Sequence, residues 1–169
     1  MNSKFTLGAA AALTAAGIIG FATFGMAEND KSAPTDNVAS TVPADRQMTI
    51  WRDPSCGCCD AYADYAEENG YHVTRIDDRD FDKRSVEVGV PEQGLGCHLA
   101  EVDGYYVSGL VPVEIIQRLT SERPEVTGIT LPGMPQNAPG MAGKSGTLKT
   151  YAFGEDGFGE DGVAVYSNE

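Results

Sequence analysis

Residues 48–76 read MTIWRDPSCGCCDAYADYAEENGYHVTRI, and three periodicities follow one another along them. Met48-Thr49-Ile50-Trp51 is a short apolar run ended by Asp53-Pro54-Ser55, the pattern of a buried strand, with Trp51 as a core residue. Within residues 58–69, Tyr62, Tyr65 and Ala66 recur at helical spacing opposite Asp60, Asp64, Glu67 and Glu68, and Gly70 stands where a helix terminates. Residues 71–76 alternate and are rich in β-formers, which predicts a second strand. Strand, helix and strand in about 30 residues make a βαβ unit.

Downstream, Asp78, Asp80 and Asp82 have the spacing that opens a calcium loop, but Lys83 occupies the place of the turn glycine and Gly89 that of the terminal glutamate. The stretch 81–88 reads instead as a short helix leading to Gly89-Val90-Pro91. Residues 95–102, the turn Asp103-Gly104 and residues 105–108 predict a hairpin, since Asp-Gly supplies the positive φ angles of a tight turn. Pro112 suits the start of a further helix whose apolar stripe is Ile115, Ile116 and Leu119. The order β-α-β-α-β-β-α defines an α/β, thioredoxin-like fold, a central mixed sheet flanked by helices.

Two features extend this domain. Residues 131–141, LPGMPQNAPGM, carry prolines that forbid regular pairing and two thioethers, Met134 and Met141, seven positions apart. Residues 149–153 and 163–166 predict a C-terminal hairpin around Gly-Glu-Asp-Gly, which occurs at 154–157 and again at 159–162 as turn chemistry.

Upstream, Lys4 precedes an almost uncharged run from Phe5 to Ala27 ending in Gly25-Met26-Ala27, the signature of a secretory signal or, uncleaved, of a membrane anchor. Residues 28–45 are rich in Ser, Thr, Pro and Asp without apolar periodicity, so they read as a flexible linker before a domain spanning 46–169. The 169 residues carry 25 Asp and Glu against 12 Lys and Arg, a net charge of −13. Such a surface repels nucleic acid, and the length excludes a large multidomain enzyme. Membrane contact is expected only through residues 1–27. Walker, dinucleotide-glycine, Gly-x-Ser-x-Gly and His-Glu-x-x-His patterns are absent, so neither hydrolase nor transferase chemistry is indicated.

The four cysteines carry the chemistry. Export places them in an oxidising compartment, where two structural disulfides are the ordinary expectation. Cys56, Cys58 and Cys59 instead crowd the junction of the first strand and first helix, where unpaired N–H groups and the positive dipole end favour thiolates. One reading is redox: Cys56 and Cys59 form a Cys-x-x-Cys pair, Cys56 attacking and Cys59 resolving, as in a thiol–disulfide oxidoreductase. That leaves Cys58 unexplained. The other is metal binding, in which crowded thiolates bridge copper(I), and Cys97, His98, Met134 and Met141 add the thiolate, imidazole and thioether donors that this ion prefers.

The alternatives are open residue by residue. Cys97 can be a buried thiol or the disulfide partner of Cys58, and a four-cysteine zinc site is the weaker metal candidate because it leaves His98 and the methionines idle. Strand alternation sends neighbours to opposite faces, so Cys97 and His98 share a site only at a strand end or bulge. Both methionines can be packing residues. His72 reads as a surface residue.

Pro54-x-Cys56-Gly57-Cys58-Cys59, Gly89-Val90-Pro91, Cys97-His98, Val102-Asp103-Gly104-Tyr105, Val111-Pro112, Glu122-Arg123-Pro124, Pro132-Gly133-Met134-Pro135 and Pro139-Gly140-Met141 together resemble the CopG-like copper-resistance proteins, across about residues 46–153. The resemblance implies a periplasmic thioredoxin-like domain that holds a thiolate-bridged copper cluster, copper(I) or a mixture with copper(II), and acts by sequestration or by redox change of the metal. It implies Cys56, Cys58, Cys59 and Cys97 as the sulfur core, completed by His98 and the loop methionines, with copper ions and other periplasmic copper-handling proteins as partners. Leu110 stands where family members often have His, which removes one imidazole, and Tyr62 stands where Trp is common.

Overall fold

β1 (Gln47–Arg52) and β2 (His72–Asp77) run parallel with Ile50 opposite Arg75, and α1 (Gly57–Glu68) makes the crossover between them. The computed structural model describes residues 42–154 and 164–169. The apolar leader and the second Gly-Glu-Asp-Gly lie outside the described residues, as does nearly all of the linker. After β2 come α2 (Phe81–Glu87), β3 (His98–Val102), β4 (Tyr105–Ser108) and α3 (Val113–Glu122), the predicted order. Asp103 and Gly104 take φ of 49° and 84°, the left-handed pair that closes the β3–β4 hairpin.

One seven-stranded mixed sheet has the order β2-β1-β3-β4-β5-β6-β7, completed by β5 (Gly128–Thr130), β6 (Lys149–Phe153) and β7 (Ala164–Asn168). β3 is antiparallel to both β1 and β4, the arrangement of a thioredoxin-like sheet, and β6 with β7 forms the terminal hairpin. Alternation along the strands divides the core. Met48, Ile50, Ala100, Val102 and Val107 face α1 and α3, where Tyr62, Ala66, Ile116 and Leu119 meet them. Leu99 points the other way, to Val90 and Phe153, with Trp51 half-buried beside them. Burying each large apolar side chain of the α3 stripe stabilises the fold by about 1.5–3 kcal/mol. His72 is exposed.

Two local expectations are corrected. The strand predicted over 95–102 begins only at His98. Residues before it form a 3-10 turn, Glu92–Gly94, and Gly96 pairs in parallel with Gly133 of the methionine loop. The chain crosses itself there: a Cβ on Gly96 would sit within 2.4 Å of the Gly109 backbone nitrogen, so only glycine fits. The second correction is β5, which lies parallel to β4 with Ile129 opposite Val107. It was not expected, because three residues opening on glycine give no alternation to read. The sheet supplies the reason for glycine, since a Cβ at Gly128 would lie 2.7 Å from the Phe153 ring.

Candidate metal centre

The register of β1 against β3 sets the site. Arg52, the last residue of β1, lies opposite His98, the first of β3, so the loop leaving β1 and the loop entering β3 emerge at the same sheet end. Arg52 is only 12% exposed and holds Asp60 in the first turn of α1 at 3.0 Å and Asp77 at the end of β2 at 3.1 Å. It thereby fixes the helix start relative to the sheet. Asp53 shapes the loop between, its carboxylate accepting the Ser55 N–H at 2.8 Å and its carbonyl the Cys56 N–H at 3.0 Å. The Ser55 hydroxyl and N–H hold the Asp53 carboxyl below its usual range. Cys56 is then the N-cap of α1 and makes no side-chain cap, which leaves its sulfur free for other partners.

The Sγ atoms of Cys56, Cys58, Cys59 and Cys97 all lie within 4.8 Å of one another. Cys56 and Cys59 are joined as a disulfide, while Cys58 and Cys97 are free thiols. Cys58 Sγ stands 3.4 Å from Cys56 Sγ and 3.9 Å from Met134 Sδ. Cys59 Sγ is 3.2 Å from the Cys97 carbonyl oxygen. Cys97 precedes the strand, so it escapes the alternation that would have turned it away from His98. Its Sγ is 3.5 Å from His98 Nδ1, and both side chains are buried on the α1 face.

Burial pushes the Cys97 thiol up to about 12, with Cys58 beside it adding to the shift. Burial alone holds His98 down to about 3, so the ring is neutral, and it packs on Tyr62 with centroids 4.7 Å apart. Among the described residues the buried His98 Nε2 has no hydrogen-bond partner. Leaving such an atom unsatisfied costs about 1–3 kcal/mol, and a ligand would relieve it. Thiols, thioether and neutral imidazole at one helix N-terminus form the donor set that suits copper(I).

The neutral His98 has a measurable consequence. Its folded value lies below the 6.5 of a free histidine, so the unfolded chain takes up a proton that the native chain refuses, and stability is lost as pH falls from 6.5 toward 3. Between about pH 7 and about pH 5 the metal-free protein is expected to lose about 2 kcal/mol from this residue. Denaturant titration at both pH values checks this against H98Q, whose dependence should be flatter; equal slopes would contradict it.

The methionine loop is held at both ends. Leu131 N–H donates to Ser108 O at 2.9 Å and Gly133 N–H to Leu95 O at 2.8 Å. Farther along, Ala138 is buried and Gly140, at φ +83°, packs against α1, where an added Cβ would lie 2.6 Å from Cys58 O and 3.0 Å from Tyr62 Cβ. Met134 is 55% exposed beside Cys58, whereas Met141 packs half-buried against the main core. Two positioning residues had no local signal. Tyr62 gives its ring to His98 and donates its hydroxyl to Val111 O at 2.7 Å, and Gly140 seats the loop; the Pro-Gly pair before Met141 marked only a turn.

The fold and the site together define a thioredoxin-like α/β domain with four cysteine sulfurs gathered at the start of its first helix, a group that could hold a metal ion. A profile described as "Protein of unknown function, DUF411" matches residues 95–141, which run from the turn before Cys97 through Met141. The solved structure "Copper resistance protein copG- Form 2" is 30% identical at a TM-score of 0.64, over 73% of this chain and 97% of that chain. The form 1 structure gives 30%, 0.63, 73% and 96%. Comparison with curated protein sequences finds no match. The chain belongs to the CopG copper-resistance protein family.

Proposed function

We propose that this protein binds copper in copper resistance, holding more than one copper(I) ion per chain between Cys56, Cys58, Cys59 and Cys97 once the Cys56–Cys59 pair is reduced. The carrying observation is the meeting of three cysteine sulfurs at the start of α1, Cys56 at its N-cap and Cys58 and Cys59 in its first turn, with a fourth from Cys97 just before β3, all within 4.8 Å. Four sulfurs so close share ions more readily than they serve one each, because thiolates bridge. Met134 and His98 extend the donor set, and Met141, on the same loop as Met134, is the remaining candidate. Mixed sulfur and imidazole ligation tolerates both copper oxidation states, so one-electron cycling of the bound metal belongs to this reading. The names of the related structures support the copper assignment. Residues 1–27 act as the export signal, which places the domain in the periplasm after a linker over 28–45.

Titrating the reduced protein with copper(I) under argon, against a chromophoric copper(I) chelator, is expected to give more than one ion per chain. A single tightly held zinc that copper(I) does not displace would contradict it.

A second reading rests on one specific observation, the Cys56–Cys59 disulfide at the N-terminus of α1. It makes the protein a thiol–disulfide oxidoreductase with Cys56 as the attacking thiol, and the fate of a Cys58 variant separates the two.

A further inference from the structure

The disulfide leaves three sulfurs behind. With Cys56 and Cys59 joined, Cys58 and Cys97 remain thiols whose Sγ atoms lie within 4.8 Å of each other, and Met134 Sδ lies 3.9 Å from Cys58 Sγ. Cys97 forms the floor at 9% exposed and Met134 the mouth at 55% exposed, with Cys58 between them. We propose that the oxidised protein keeps a metal site of its own, in which Cys58, Cys97 and Met134 hold a single copper(I) ion. The inference rests on the copper-binding reading above and adds a regulation to it: closing the Cys56–Cys59 disulfide lowers the capacity of the pocket to one ion without emptying it.

The chemistry selects the ion. Copper(I) accepts two or three soft ligands, and two thiols with a thioether supply three. Zinc in a closed site requires four ligands, and with two of the four cysteines held in the disulfide the pocket offers it only Cys58, Cys97 and the neighbouring His98, one short of closure. The oxidised pocket is therefore expected to discriminate against zinc, whereas the reduced pocket has four thiols to offer. An exposed large apolar side chain at the pocket mouth also finds its reason here, since the Met134 thioether is the donor that an incoming ion meets first.

The switch balances with a disulfide as oxidant. Oxidised glutathione converts the Cys56 and Cys59 thiols into one disulfide and leaves as two glutathione thiols, which carry the two electrons and two protons. The full chain, closed this way, freed of glutathione and checked by peptide mapping for the Cys56–Cys59 pairing, is titrated with copper(I) beside the reduced chain. One ion for the oxidised protein and more than one for the reduced protein is the expected result, with C58S in the oxidised state taking none. Should oxidation scramble the pairing, the double variant Cys56→Ser, Cys59→Ser removes the same two sulfurs and decides in its place, again at one ion. No ion, or more than one, in the oxidised chain while the reduced chain takes several would overturn the inference and leave the copper-binding reading standing. Zinc retained by the oxidised chain would overturn the three-sulfur assignment. Failure of the reduced chain to bind copper(I) would overturn both.

Discussion

Replacing Cys58 with serine is expected to abolish multi-ion copper binding while the Cys56–Cys59 disulfide still opens and closes. Cys58 is the sulfur that joins the pocket together: it stands 3.4 Å from Cys56, 3.9 Å from Met134 and within 4.8 Å of Cys59 and Cys97. A serine oxygen keeps the size of the side chain but is a hard, weakly acidic donor that does not bridge copper(I). Changing even the supporting partners of a metal ligand typically costs 10- to 100-fold in affinity, so loss of the bridging ligand itself is expected to exceed about 100-fold. The disulfide needs only Cys56 and Cys59. Copper affinity by chelator competition and disulfide exchange by a thiol assay are therefore read on the same variant. Loss of copper with exchange intact is the result expected of a metal pocket; copper affinity unchanged with exchange intact would support the oxidoreductase reading instead.

Gly140→Ala is expected to produce the largest effect from outside the ligand set. At φ +83° an L-residue is strained by about 1–2 kcal/mol, and the new methyl group would stand 2.6 Å from Cys58 O and 3.0 Å from the Tyr62 backbone nitrogen. The helix start cannot retreat, because Arg52 ties its first turn to the sheet, so the loop lifts. Stability should fall by about 2–3 kcal/mol, or roughly 5–10 °C in Tm for a domain of this size. Copper(I) affinity should fall with it as Met134 leaves Cys58. Gly133→Ala is the matched comparison: Gly133 has φ +68°, and a Cβ added there would have nothing within 4 Å among the described residues, so it meets the backbone strain alone. Thermal melts and copper competition on the two variants check this; equal losses in both would show that the packing of Gly140 against α1 does not matter.

The parts of the fold visible in the sequence were those set by local pattern. The apolar run at 48–51, the helical stripe of Tyr62 and Ala66 and the Asp103-Gly104 turn each state their own geometry, and together they order seven elements. β5 was hidden because three residues beginning with Gly128 have no period, and its glycine answers to Tyr106 and Phe153, which are distant in the chain. The same holds for the start of β3, displaced to His98 by a crossing of Gly96 and Gly109 that no local window contains. At the site, the cysteine spacing and the soft character of His98 and Met134 were legible, because ligand chemistry resides in single side chains. The supports were not: the tilted packing of Tyr62 on His98 and the seating of Gly140 on Cys58 depend on how separate segments pack. The Cys56–Cys59 pair was legible as one of the open readings, from its Cys-x-x-Cys spacing, but its choice over the alternatives was not, since Cys56, Cys58 and Cys59 compete at one helix end.

Sulfurs from the first turn of α1 and from the approach to β3 are held to share more than one copper ion. Copper K-edge X-ray absorption on the reduced, copper(I)-loaded protein tests it most directly. A first shell dominated by sulfur together with a copper–copper contribution is the predicted spectrum. A shell of nitrogen and oxygen, or sulfur with no copper–copper contribution at full loading, would contradict it.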